Sequence, residues 1–206
     1  MMSPQSLGRL VGLISIAASI LVIASQALNY GLALAFGPQS AADSVLHSAK
    51  YVLALIATNV LLLALTGLFL RQAQAAGRLG AAGFLIAFLG TTLIAGDWWF
   101  ESFIVPRLAE VAPEVMTGAI TGSMVVGAAA TFGLFALGWA VFGVASIRAR
   151  VYPRGAAVLL TVGGLVGILA GSTPYQVPLA VAIGWIGYSL VTSERIPAAA
   201  PAPSPA

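Results

Sequence analysis

Apolar residues along this chain form six long runs that are separated by short polar segments. A helix needs about 20 mostly apolar residues to cross the hydrocarbon core of a bilayer, so each run is interpreted as a membrane-spanning helix, although the last two are short. The pattern predicts an all-α membrane protein, a six-transmembrane-helix bundle with short loops. The predicted spans cover about 10–36, 51–70, 79–105, 117–147, 156–171 and 177–192.

The composition supports a membrane protein of one domain. Hydrophobic residues make up 60% of the 206 residues, 7% are charged, and the mean hydropathy is +1.01. A water-soluble domain needs a far larger polar surface than this composition provides. We predict a short cytoplasmic N-terminus over 1–8, the transmembrane bundle over 9–193 and a disordered Pro/Ala tail over 194–206.

The basic residues predict the orientation of the spans. With six spans and a cytoplasmic N-terminus, seven of the nine Lys and Arg residues lie in the cytoplasm, and Lys50 and Arg107 lie outside. Cytoplasmic segments of membrane proteins carry such an excess, so the topology is predicted to be N-in/C-in. Arginine outnumbers lysine eight to one, and alanine and glycine abound, as in GC-rich bacterial genomes. This composition suggests a bacterial coding bias.

The densest group of ionisable and aromatic residues lies at the predicted outer end of the third span. Asp97 and Glu101 are four residues apart, so they share one face if the helix continues. Trp98 and Trp99 between them are typical of the membrane interface. Two carboxylates this close either raise the pKa of one another or recruit a cation.

Amide side chains in the first two spans extend this candidate site. Gln26 and Asn29 lie toward the outer end of the first span, and Asn59 lies about 13 Å along the helix from Lys50 at 1.5 Å per residue. Asn59 either hydrogen-bonds a neighbouring helix or lines a polar pathway. The candidate ligand-binding residues are Asp97, Glu101, Trp98, Trp99, Gln26, Asn29 and Asn59.

A metal site is a second interpretation of the outer carboxylates. Asp43 and His47 precede the second span with a four-residue spacing, and carboxylate and imidazole groups together bind divalent metals. The alternatives are an ion pair with Arg107 or Lys50, or simple solvation at the interface. The candidate metal ligands are Asp43, His47, Asp97 and Glu101.

Small residues recur at a helical spacing on the fifth span. Gly163, Gly167 and Gly171 follow one another every four residues. Helices in a membrane associate by close packing of such residues, so this stripe is predicted to contact one neighbouring helix.

The residue types present exclude several activities. Without cysteine, thiol–disulfide exchange and Cys-ligated iron–sulfur centres are impossible, and one histidine excludes bis-His haem ligation within one chain. No predicted span contains a lysine for a retinal Schiff base or a carboxylate at mid-membrane. We expect neither a catalytic residue nor a cofactor.

Short stretches of the chain resemble small integral membrane proteins of bacteria that have no established activity. They are LFLRQA (68–73), GRLG (77–80), GFL (83–85), FESFIVP (100–106) and LA (108–109). The resemblance implies a bacterial cytoplasmic membrane and carries no activity with it.

Three hypotheses for the function follow. A non-enzymatic protein that binds a small apolar or lipidic ligand, or a partner membrane protein, fits the lack of catalytic groups. The alternatives are a small permease or channel subunit, which requires an oligomer or a polar path past Asn59, and a membrane enzyme that acts at the outer interface through Asp97 and Glu101. The expected partners are membrane lipids, a partner membrane protein or a homo-oligomer, and no nucleic acid.

Overall fold

A computed structural model describes residues 4–36, 45–117, 121–169 and 175–193, and every regular element within these ranges is helical. The prediction of an all-α protein is confirmed. Three of the helices are long and apolar enough to cross a membrane: α1, α2 and α5. The elements are α1 (Pro4–Phe36), α2 (Val45–Phe103), α3 (Val105–Val111), α4 (Pro113–Thr117), α5 (Ser123–Ala149), α6 (Arg154–Val166) with a 3₁₀ turn (Gly167–Leu169), and α7 (Val177–Ser193).

The longest helix, α2, is folded into a hairpin at Gly77. The backbone of Gly77 has φ 55° and ψ −145°, a conformation that is open essentially only to glycine. The rings of Phe69 and Phe84 stack with 4.2 Å between their centroids, whereas a straight helix would separate these residues by about 22 Å. The helix therefore consists of two antiparallel arms, α2a (residues 45–76) and α2b (residues 78–103).

The hairpin gives the bundle two distinct ends. At the end opposite Gly77, the rings of Tyr51 on α2a and Trp98 on α2b stack with 5.5 Å between their centroids. We call this the Trp98 end and the other the Gly77 end. The C-terminal half of α1 also lies at the Trp98 end, because Gln26 and Trp98 line the same pocket. The start of α7 lies there too, because Gln26 Nε2 donates a hydrogen bond to Gln176 Oε1 at 2.9 Å.

Several helices begin or end at other residues than the sequence predicts. The segment 71–78, predicted as a loop, is helical except at Gly77, because one glycine makes the whole turn. The predicted N-terminal segment 1–8 is helical from Pro4. The predicted fourth span begins later, at Ser123, after the short helix α4. The predicted disordered tail, 194–206, lies outside the described residues.

The helices pack in a closed order, in which α1 contacts α2, α2 contacts α5, α5 contacts α6, α6 contacts α7 and α7 returns to α1. Small residues allow these contacts. A Cβ atom at Gly83 of α2b would lie 2.7 Å from the backbone N of Phe142 on α5. A Cβ atom at Gly138 of α5 would overlap the backbone of Ala87 on α2b. The backbones of α2b and α5 are therefore in direct contact, as expected for helices that associate in lipid.

The predicted glycine stripe on the fifth span faces two neighbours. A Cβ atom at Gly163 would lie 2.5 Å from the backbone N of Leu179 on α7, whereas one at Gly167 would meet the ring of Phe135 on α5. Gly164, next to Gly163 on α6, also lies against α5, because α6 packs between α5 and α7. The third glycine, Gly171, lies outside the described residues.

Two further side-chain hydrogen bonds join the helices. The indole Nε1 of Trp139, on α5, donates to Thr91 Oγ1 at 3.0 Å, and both residues are fully buried. At the Gly77 end, the hydroxyl of Tyr152 donates to the backbone O of Leu68 at 2.6 Å. Burial raises the pKa of the Tyr152 hydroxyl, and the Arg71 guanidinium opposes this effect.

The outer surface of the bundle is also apolar. Large side chains such as Leu34, Leu63, Leu70 and Val126 are each more than 60% exposed, and they lie on α1, α2a and α5. A soluble monomer rarely exposes so extensive an apolar surface. Lipid chains are the solvent that this surface matches.

Candidate functional site

A shallow recess opens at the Trp98 end between α1 and the two arms of α2. Its cavity volume is ≈ 10 Å³, about one water position, and it is partly open to the surroundings. Its walls combine aromatic, amide and cationic groups within a largely apolar bundle. The lining residues are Ser25, Gln26, Asn29, Lys50, Tyr51, Ala54 and Trp98.

The aromatic wall of the recess is built from both arms of α2. Tyr51 stacks on Trp98 with an angle of 25° between the rings. His47, one turn before Tyr51 on α2a, packs edge-on against the Tyr51 ring at 4.7 Å. The ammonium Nζ of Lys50 lies 4.6 Å from the centre of the same ring, which is a cation–π contact. The wall thus holds the Lys50 ammonium at a defined position, where it also interacts electrostatically with the Glu101 carboxylate.

The opposite wall carries a buried hydrogen-bond acceptor. Gln26 is 4% exposed, and its Nε2 donates to Gln176 Oε1. Its own Oε1 accepts no hydrogen bond from the residues that the structure describes. A buried acceptor without a donor costs about 1–3 kcal/mol, so this atom favours a ligand that donates a hydrogen bond.

A second, apolar gap lies deeper in the bundle, next to the recess. Its cavity volume is ≈ 10 Å³, and it lies among α1, α2, α5 and the start of α7. The hydrogen bond between Gln26 and Gln176 lies between the recess and the gap, because Gln26 lines the recess and Gln176 lines the gap. The gap is lined by Val22, Thr58, Leu61, Ile94, Phe135, Gln176, Leu179 and Ala180.

A histidine and a carboxylate close the hairpin above the recess. His47 Nε2 lies 3.3 Å from Glu101 Oε2 and joins the start of α2a to the end of α2b. Asp97, one turn earlier on α2b, is half-buried. Arg107, a predicted partner of these carboxylates, instead pairs with Glu110 at 2.7 Å. The Glu101 carboxylate therefore contacts an imidazole and also interacts electrostatically with Lys50, one of its two predicted partners.

The structure brings only part of the predicted ligand-binding set together. Gln26, Asn29 and Trp98 line the recess. Trp99 is 52% exposed on the outer surface. Asn59 also faces outward, and its Nδ2 donates to the backbone O of Leu55 on its own helix at 2.8 Å. Asn59 therefore belongs neither to the recess nor to the apolar gap.

Sequence reasoning missed Lys50 and Tyr51 as lining residues. It treated Lys50 as a basic residue outside the membrane and as an alternative ion-pair partner of the carboxylates. The spacing of His47 and Tyr51 places them on one helical face, which is a usable signal. That signal becomes meaningful only when the hairpin brings this face against Trp98.

The structure describes three of the four predicted metal ligands. Asp43 lies outside the described residues. Of the other three, His47 and Glu101 are in contact. Across 4–36, 45–117, 121–169 and 175–193, no three His, Cys, Asp or Glu side chains converge as a metal site.

Comparison with known proteins finds no match to a family model, a curated protein or a solved structure. The resemblance noted from the sequence therefore stays a hypothesis. The functional interpretation of the recess rests on its geometry and chemistry.

Proposed function

We propose that this chain is a six-span protein of the bacterial cytoplasmic membrane, with both termini in the cytoplasm. The hairpin supports six spans, because its arms of 32 and 26 residues each exceed the roughly 20 residues that a crossing requires. The apolar helices α6 and α7 supply the last two. The orientation is supported by the arginines that flank the Gly77 turn, Arg71 and Arg78, since basic residues favour the cytoplasmic side.

Labelling of introduced cysteines tests this topology, because the chain has none of its own. Gln74 is exposed near the Gly77 end, and Val115 is exposed in the segment that follows the Trp98 end. In intact cells, we expect a membrane-impermeant maleimide to label Val115→Cys and to leave Gln74→Cys unlabelled until the membrane is opened. The reverse pattern would contradict the orientation.

The function that we propose is non-enzymatic binding of a lipid-like ligand at the Trp98 end. One observation carries the proposal: a polar recess with an unpartnered acceptor, Gln26 Oε1, and a fixed cation, Lys50, adjoins an apolar gap. A ligand with a polar head and an apolar chain matches these two environments. In the proposed orientation, the recess lies at the outer face of the membrane.

The chemistry of the recess narrows the class of head group. Gln26 Oε1 requires a hydrogen-bond donor, and the Lys50 ammonium favours an anion such as phosphate. The stacked rings of Tyr51 and Trp98 offer an apolar wall for the methylene groups that join the donor and the anion of the head group. A phospholipid head group with a hydroxyl or ammonium donor, such as phosphoglycerol or phosphoethanolamine, meets both polar requirements.

The two alternative functions find less support in this arrangement. A permease or channel requires a polar path through the bundle. The apolar gap is instead lined mainly by hydrophobic residues such as Leu61, Ile94 and Phe135. An enzyme at the outer interface requires reacting groups aimed at a substrate. His47 and Glu101 are turned toward one another across the hairpin. Neither alternative uses the unpartnered acceptor of Gln26.

Lipid binding by the purified protein tests the proposal. Native mass spectrometry after delipidation measures the binding of phosphatidylglycerol, phosphatidylethanolamine and phosphatidylcholine. We expect the first two to bind more tightly, because the choline head group has no hydrogen-bond donor for Gln26 Oε1. Equal binding of all three would contradict the assignment of Gln26.

A charge-matched pair of variants tests the role of Lys50. Lys50→Gln removes the cation of the recess, and Arg107→Gln removes an exposed cation that pairs with Glu110 elsewhere in the chain. A hydrogen bond to a charged group contributes about 1.5–3 kcal/mol, so Lys50→Gln is expected to weaken binding about tenfold or more. The affinity of Arg107→Gln is expected to equal that of the wild type. Unchanged binding by Lys50→Gln would contradict the proposed site.

A further inference from the structure

An asparagine faces outward from the middle of an apolar helix. Asn59 lies on α2a, well inside the proposed second span, and its side chain is exposed on the surface of the bundle. Ile56 and Leu63, one turn to either side, are 48% and 61% exposed on the same face. The surface around Asn59 would therefore face lipid in an isolated protein.

The amide of Asn59 is only partly satisfied by its own helix. An asparagine side chain has two N–H donors and one carbonyl acceptor. One donor bonds the backbone O of Leu55. Within the described part of the chain, no further bond is made by the second donor or by Oδ1. Hydrocarbon offers no hydrogen-bond partners, so burial of these groups in lipid is unfavourable.

An exposed threonine on the neighbouring arm provides a contrast. The hydroxyl of Thr92, on α2b, donates to the backbone O of Phe88 at 2.8 Å. A hydroxyl has a single donor, and the helix satisfies it one turn back. The amide of Asn59 keeps unused groups after its equivalent bond. The two exposed polar residues thus differ in their need for an external partner.

We propose that the α2a face formed by Ile56, Asn59 and Leu63 is the contact surface for a second copy of this chain. In a two-fold dimer, a residue near the axis meets the same residue of the partner. An amide is complementary to another amide, because each supplies a donor and an acceptor. One asparagine therefore satisfies both copies, whereas an unrelated partner needs a polar residue of its own at the same depth. Ile56 and Leu63 supply the apolar contacts on either side.

Cysteine cross-linking tests the geometry of this dimer. Asn59→Cys carries the only cysteine in the chain, so oxidation in native membranes reports the proximity of the two copies. We expect a covalent dimer of twice the 20.9 kDa chain mass. Ala130→Cys is the matched control, because Ala130 is exposed on α5 five residues before Phe135, which packs level with Gly90. Five residues correspond to about 7.5 Å along the helix, so Ala130 lies within the apolar part of the bundle but on a different helix from Asn59.

A second measurement separates the polar contact from mere proximity. Mass photometry in nanodiscs or detergent gives the dimer dissociation constant of the wild type, Asn59→Leu and Thr92→Val. Polar contacts between membrane helices are modest, so we expect Asn59→Leu to raise this constant about tenfold. Thr92→Val is expected to leave it unchanged. Asn59→Leu retains the lipid-facing surface, so its thermal unfolding should match that of the wild type.

Three outcomes would overturn the proposal. Cross-linking of Asn59→Cys no stronger than that of Ala130→Cys would place the two copies elsewhere. A dissociation constant unaffected by Asn59→Leu would show that the amide does not contribute to association. An adduct of a mass other than twice that of the chain would assign the surface to a different membrane protein.

Discussion

Replacement of Gly83 by alanine tests whether backbone contact between α2b and α5 holds the bundle together. The added Cβ atom would lie 2.7 Å from the backbone N of Phe142, 2.9 Å from its Cα and 3.0 Å from the carbonyl C of Val141. All three atoms belong to the backbone of α5, so no side-chain rotation relieves the overlap. Ordinary contact begins at 3.4 Å, so the two helices must separate locally by about 0.7 Å.

Two opposing effects determine how much Gly83→Ala changes the free energy of unfolding. Overpacking of a well-packed interface costs about 1–3 kcal/mol. Alanine is about 1 kcal/mol more favourable than glycine inside a helix, which offsets part of this cost. Gly96, on the same arm, has no atom within 4 Å of its added Cβ. Gly96→Ala therefore has only the favourable effect, and the two variants should differ by about 2 kcal/mol.

Thermal unfolding in detergent measures this difference. For a chain of this size, 1 kcal/mol corresponds to about 2–4 °C in Tm. We therefore expect Gly83→Ala to unfold about 4–8 °C below Gly96→Ala. Equal melting temperatures for the two variants would refute the inference that the α2b and α5 backbones are in contact at Gly83.

Three further predictions concern the turn and the buried hydrogen bonds. Gly77→Ala is expected to destabilise the fold by about 1–3 kcal/mol, because the φ and ψ angles of Gly77 are strained for any other residue. Tyr152→Phe removes the donor to Leu68 O and is expected to cost about 1 kcal/mol in thermal unfolding. Trp139→Phe combined with Thr91→Val in a double-mutant cycle should give a coupling energy of about 0.5–1.5 kcal/mol for their hydrogen bond.

Each of these predictions has a matched comparison. Gly31→Ala and Gly77→Ala both add a methyl group in open space, but Gly31 lies in a regular helix and Gly77 has a positive φ. Gly77→Ala should therefore unfold at a lower temperature than Gly31→Ala. Tyr30→Phe removes an exposed hydroxyl and should leave the Tm unchanged, unlike Tyr152→Phe. Equal melting temperatures for the two glycine variants would contradict the strain at Gly77, and equal melting temperatures for the two tyrosine variants would contradict the Tyr152 hydrogen bond. Additive free energies in the double-mutant cycle would contradict the hydrogen bond between Trp139 and Thr91.

The turn at Gly77 brings together residues of the candidate site that are far apart in the sequence. Tyr51 and Trp98 are 47 positions apart, and the hairpin at Gly77 stacks their rings. The same turn brings His47 within 3.3 Å of Glu101. Destabilisation of the turn by Gly77→Ala is therefore expected to weaken lipid binding at the distant Trp98 end as well.

The sequence alone determined the class of the protein and the approximate limits of its helices. Length and hydropathy are properties of contiguous residues, so the long apolar runs predicted helices that the structure contains. Local rules also marked the group from Asp97 to Glu101 as unusual. The precise turn was missed, because 71–76 is polar enough to resemble a loop although it is helical.

Only the tertiary structure decided which residues meet. Of the predicted ligand-binding residues, Gln26, Asn29 and Trp98 line the recess and Asn59 faces outward, whereas Tyr51 lines the recess and was not predicted. In a soluble helix, the polar face identifies the surface. Here nearly every face is apolar, because lipid and the protein core favour the same side chains. The pattern along the chain therefore does not distinguish the inner face from the outer one, and helix adjacency decides it.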